Sequence, residues 1–142
     1  MLYEIGVRDY RIVSKRRLTL SDGGLEKKLM GVDFYSMTVR AFKLEDLEDR
    51  CEDYGQVAYY LGSLPQNPCA FRLDDHHLFE TKRPVLVCSN TASMLVHSRY
   101  QPHFKIMGDR SRHFGLFPCS PIVPEGAFEA RGAERTITGA CC

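Results

Sequence analysis

Between Phe34 and Leu44 the chain alternates. Tyr35, Met37, Val39 and Ala41 fall on one side of an extended strand, and Ser36, Thr38 and Arg40 on the other. A period of two is the signature of a β-strand, and this is the clearest strand in the chain. Arg8 to Leu20 is less regular: Tyr10 and Ile12 stand two apart, and Val13, Leu18 and Leu20 follow, which predicts one or two strands. Between them Asp22 suits the amino-terminal cap of a short helix, with Leu25 and Leu29 on one face and Gly31 at its end.

Further along, Glu45 to Asp53 is crowded with acids and predicts a solvated turn. Tyr54 to Leu61 predicts a strand, and Pro65-Gln66-Asn67-Pro68 predicts a loop, because two prolines remove ladder donors. Cys69 to Leu73, Leu78 to Glu80 and Pro84 to Cys88 predict short strands, with turns at Asp74 to His77 and Thr81 to Pro84, so the middle of the chain reads as a meander. Asn90 suits the cap of a helix over Thr91 to Ser98, with Met94 and Leu95 as its apolar face and Pro102 beyond its end. His103 to Met107 predicts a last strand, and the proline- and glycine-bearing stretch after Pro118 predicts a flexible carboxy-terminal tail. The expected fold class is therefore α+β, a mostly antiparallel sheet with two short helices.

A length of 142 residues suits one ordinary domain with its own core. The net charge of +1 gives no electrostatic footprint for nucleic acid or an anionic membrane, so neither is expected as a partner. No apolar run approaches the roughly 20 residues of a membrane span, and Met1-Leu2-Tyr3-Glu4 does not begin a signal peptide. A cytoplasmic location follows as the expectation, and with it reduced thiols at the six cysteines Cys51, Cys69, Cys88, Cys119, Cys141 and Cys142. Their spacing contains no C-x-x-C pair of a structural zinc site.

Chemistry is sparse on this reading. No G-x-G turn of a nucleotide-binding fold is present, and Gly23-Gly24 reads as part of a loop. In Asp74-Asp75-His76-His77, neighbouring residues of an extended chain point to opposite sides, which predicts a turn with a charge-paired histidine rather than a metal site. No partner for a Ser-His or Cys-His catalytic pair is identifiable. Cys141-Cys142 places two thiols side by side, and these can reach a soft ion.

The run from Leu47 to Ser120 resembles the region that follows the methyltransferase domain of microbial and algal arsenite methyltransferases. Its landmarks are CEDYGQ at Cys51 to Gln56, LDDHH at Leu73 to His77, CSNT at Cys88 to Thr91 and HFGLF at His113 to Phe117. FYSMTVRAFKL is similar to the strand joining that region to the catalytic domain, and Gly6 to Val13 is similar to that domain's closing strand. The resemblance implies three parts: a closing-strand region over 1–20, a substrate-side α+β domain over 21–120, and a cysteine-ended tail over 121–142. It implies an enzyme that transfers methyl groups from S-adenosylmethionine to thiolate-bound trivalent arsenic, taken as a thiol conjugate and served by a cellular thiol reductant. The family's cofactor loop and principal arsenic-binding cysteines lie upstream of this region. No catalytic or cofactor-binding residue is carried over, and the chain alone is expected to be inactive and without cofactor. Cys51 and Cys88 fall in family motifs. With Cys141 and Cys142 they are the candidate arsenic thiolates, and arsenite binding is expected to depend on the terminal pair. The alternative is a stand-alone, non-catalytic metalloid-binding protein that sequesters arsenite by thiols.

Overall fold

The computed structural model describes residues 2–19, 24, 28–29 and 32–118. In chain order they form a 3-10 turn at Tyr3–Ile5, β1 (Asp9–Arg17), β2 (Tyr35–Phe42), β3 (Glu52–Asp53), β4 (Gln56–Tyr60), β5 (Ala70–Arg72) and β6 (Leu78–Glu80). Then come β7 (Pro84–Val87), helix α1 (Ser89–Val96), a 3-10 turn at Gln101–His103, β8 (Phe104–Met107) and β9 (Gly115–Leu116). Every pairing between these strands is antiparallel, so the protein is α+β and mostly sheet. Of the helix expected from Asp22 to Gly31 only residues 24, 28 and 29 are described, the first two of them helical, and the tail after Pro118 lies outside the described residues. Among those described, no helix is long and apolar enough to cross a membrane.

β1 and β2 form a ribbon in which Arg11 lies opposite Arg40, with a register shift between Ile12 and Ser14. Residues directly opposite share a face, and the arginine face is the one laid on the rest of the protein. Arg40 donates to the backbone carbonyls of Arg72 and Leu73, and its guanidinium lies 5.1 Å from the Phe71 ring centroid. The other face carries Tyr10, Tyr35, Met37 and Val39, all exposed. The alternation thus identified the strand but not its inward side. Two guanidinium groups face in because carbonyls, carboxylates and ring faces satisfy them there.

The core gathers around β4, the centre of the three-stranded sheet β7-β4-β8. Tyr60, Phe71, Phe79, Tyr100 and Phe104 meet there in tilted and edge-to-face pairs with centroids 4.9–5.8 Å apart, and Leu73, Met94, Leu95 and Val87 complete it. The Tyr60 hydroxyl, buried with its ring, donates to Asn67 O at 2.8 Å, which removes the cost of an unsatisfied polar group. Gly62 follows at φ +72°, where an added Cβ would lie 2.7 Å from Pro68 O, so the turn leaving β4 accepts only glycine.

The expected meander is corrected. β5 and β6 do pair as a hairpin, but β7 pairs with β4 and not with β6. Lys82, left-handed at φ +61°, redirects the chain, and its amide donates to Tyr60 O at 2.8 Å. Pro84 then sits at the start of an edge strand, where its missing N–H costs no ladder bond.

Two further expectations shift. Asn90 is not the cap of α1: the helix begins at Ser89 behind Cys88, which makes no side-chain cap bond. Asn90 instead clasps the backbone of Glu48, donating to its carbonyl and accepting from its amide, each at 2.8 Å. The acid-rich segment is accordingly more than a solvated turn. Leu47 is buried, Asp46 accepts from Ser93 Oγ at 2.6 Å, and Glu48 accepts from Ser89 Oγ and from Tyr54 OH. Glu48, which faces Ser89 in the first turn of the helix, also meets its positive end.

Candidate functional site

The site assembles where β1, the turn before β6, the start of α1 and the β3–β9 pair converge. Asp74 organises the turn. Its Oδ1 accepts from the amides of His76 (2.8 Å) and His77 (2.7 Å) and lies 2.8 Å from His77 Nδ1. The Asp75 amide donates to Ile12 O at 2.7 Å and so ties the turn to β1. This brings Arg11 to Asp74, with Nη1 to Oδ2 at 3.5 Å. The carboxylate is almost fully buried. Burial disfavours its charge, but the hydrogen bond and charge of His77, the charge of Arg11 and the His76 amide outweigh burial and hold its pKa below the usual range. The expected turn with a charge-paired histidine is therefore what the structure contains.

From His77 a chain of contacts leads to a thiol. His77 Nε2 lies 3.4 Å from Thr91 Oγ1, which in turn lies 3.3 Å from Cys88 Sγ. Cys88 is 1% exposed and stands between β7 and α1, as the residue before the helix. Cys51 enters from the other side, just before β3, its carbonyl accepting from the Phe117 amide at 2.8 Å. The pairing of Glu52 with Leu116 and Asp53 with Gly115 fixes this segment. Cys51 and Cys88 both line one cavity of about 410 Å³, together with Arg11, Asp75, His76 and His77.

Arg11 completes the site. Burial lowers the tendency of its guanidinium to hold charge, but Asp9, Asp74, Cys88 and Cys51 together outweigh burial and raise its pKa. Both thiols thus lie within electrostatic reach of one cation. Nη2 is 2.9 Å from Asp9 Oδ2; Nε is buried and has no hydrogen-bond acceptor among the described residues. Among those residues no three His, Cys, Asp or Glu side chains converge as a metal cage.

Of the four cysteines named from the sequence, the structure brings Cys51 and Cys88 to one cavity, while Cys141 and Cys142 lie outside the described residues. Cys69 is disulfide-bonded, which corrects the expectation of reduced thiols at that position. Sequence reasoning missed Arg11 and the link from Cys88 to His77. Both depend on contacts between segments far apart in the chain, and no local spacing signals them.

The chain is 46% identical over 138 residues to an arsenite methyltransferase of Aquipseudomonas alcaligenes, a match that takes in 96% of this chain and 39% of that enzyme. The crystal structure of an arsenic(III) S-adenosylmethionine methyltransferase from Chlamydomonas reinhardtii superposes with a TM-score of 0.76 at 44% identity, over 82% of this chain and 39% of that one. The chain resembles part of an arsenite methyltransferase. It spans about two fifths of the length of each of these relatives. No protein-family model matches it.

Proposed function

We propose that the chain is the carboxy-terminal, substrate-side portion of an enzyme that transfers methyl groups from S-adenosylmethionine to thiolate-bound trivalent arsenic. The observation that carries this reading is the match at 46% identity across nearly the whole chain. The convergence of Cys51 and Cys88 on one cavity supports it chemically, since trivalent arsenic is a soft centre that prefers several sulfurs. The thiolates that serve it are drawn from Cys51, Cys88, Cys141 and Cys142, and a cellular thiol reductant keeps them ready.

The described residues do not fit S-adenosylmethionine. A doubly wound cofactor domain presents a parallel sheet and a glycine-rich turn from strand to helix, whereas every strand pairing here is antiparallel. The strand-to-helix turn at Cys88-Ser89-Asn90-Thr91 has no glycine. On this reading the cofactor is held by a part of the enzyme outside this chain. Two measurements test the reading. The transcript upstream of the Met1 codon should encode a glycine-rich cofactor loop in frame, and its absence would leave the sequestering protein as the better account. Calorimetric titration of this chain with S-adenosylmethionine should show no binding, and micromolar affinity would contradict the division of labour.

A further inference from the structure

The cavity combines two thiols, a guanidinium that both of them influence, and a buried Nε–H with no acceptor among the described residues. Water-excluded donors are normally satisfied, because an unmade hydrogen bond there keeps its full desolvation cost. A ligand that takes two sulfurs and offers one oxygen acceptor would engage both thiols and give the Nε–H its acceptor.

We propose that this cavity holds one trivalent arsenic atom through Sγ of Cys51 and Sγ of Cys88, with Arg11 Nε–H donating to the hydroxyl that stays on arsenic. The identity of the ligand rests on the methyltransferase reading; the existence of the site rests on the cavity. In the exchange, arsenous acid, As(OH)3, meets two thiols. Two As–S bonds form and two As–O bonds break, and each thiol proton leaves with a hydroxyl as water. One As–OH remains, and no atom changes oxidation state. No third ligand of the His, Cys, Asp or Glu kind converges there among the described residues, so the third position on arsenic stays with oxygen. Asp74 braces Arg11 from behind at 3.5 Å. His77 and Thr91 approach Cys88 and give its proton a polar path away from the sulfur.

The proposal differs from the sequence expectation that the terminal pair Cys141-Cys142 governs binding, and the test separates the two. The whole 142-residue chain, kept anaerobic, is titrated with inorganic arsenite and, separately, with phenylarsine oxide. The latter also takes two thiols but retains a phenyl group and no hydroxyl. Changing Cys51→Ser or Cys88→Ser should weaken both ligands by at least about tenfold, and Cys141→Ser with Cys142→Ser should leave both unchanged within about twofold. Arg11→Lys removes the Nε–H, and should weaken arsenite by about tenfold, the worth of one charge-assisted hydrogen bond, while phenylarsine oxide binding stays within about twofold and reports that the site is still folded. X-ray absorption of the unmutated arsenite complex needs no variant, and should show two sulfurs and one oxygen on arsenic. Arsenite affinity that survives both serine changes overturns the proposal, as does a shell of three sulfurs. Methylation tests the parent reading separately: bound arsenite in a system that does not methylate supports the site alone. Methylation with affinity unaffected by either serine change removes the site and leaves the reading.

Discussion

Replacing Asp74 with alanine tests whether this carboxylate organises the site. The side chain is 1% exposed and accepts from two backbone amides and the His77 imidazole while facing Arg11. Each buried donor left without its acceptor costs about 1–3 kcal/mol, and breaking one side of a buried charged pair costs about 3–5 kcal/mol. These terms overlap, because the donors share one acceptor and some can relax toward water, so the expected loss is about 3–5 kcal/mol. Against a domain stability of about 5–15 kcal/mol this is a large fraction. Urea unfolding followed by circular dichroism at neutral pH reads it directly. The pH dependence adds a second handle. The folded carboxyl titrates below its ordinary 3.8 and the unfolded one at about 3.9. Its contribution is therefore complete above roughly pH 4 to 5 and is lost as pH falls through the depressed folded value. The gap between the unmutated chain and Asp74→Ala should narrow below about pH 4. A loss under about 1 kcal/mol at pH 7, or a gap that stays constant into acid, would refute the reasoning.

Gly62→Ala should destabilise by about 1–3 kcal/mol, because φ is +72° and the new Cβ would meet Pro68 O; an unchanged urea midpoint would show that the turn relaxes freely. Asn90→Ala should cost about 2 kcal/mol by removing both bonds to the Glu48 backbone. Hydrogen exchange should then accelerate at the Glu48 amide, and unaltered protection there would mean that the clasp contributes nothing.

Alternation located β2, and short apolar runs bounded by turn residues located most of the other strands to within a few residues, since both signals are local and survive without knowledge of partners; β3 and β9 carry no such signal. What it left open was decided by distant contacts. Val85 and Leu86 look as ready to pair with β6 as with β4; a left-handed Lys82 and its bond to Tyr60 settle the matter. In the same way Tyr35, Met37 and Val39 mark a face without saying that it points outward. Asn90 has the chemistry of a cap, and it spends that chemistry on a backbone 42 residues away in sequence. Within the site, a turn with a charge-paired histidine was legible, but not which pair would form; it is Asp74 and His77, three positions apart, that close it. The meeting of Cys51, Cys88 and Arg11 was not legible, because it needs β9 to return to β3 and β1 to lie on the Asp74 turn.

The central claim is that this chain supplies the carboxy-terminal part of an arsenite methyltransferase. The direct measurement is a chimera in which it replaces the matching two fifths of the Aquipseudomonas alcaligenes enzyme. The chimera is incubated with S-adenosylmethionine, arsenite and a thiol reductant, and the arsenic species are separated and counted. The account predicts methylated arsenic from the chimera and none from the same enzyme truncated before the exchanged part. A folded, soluble chimera that binds S-adenosylmethionine and yields only unmethylated arsenite would contradict it.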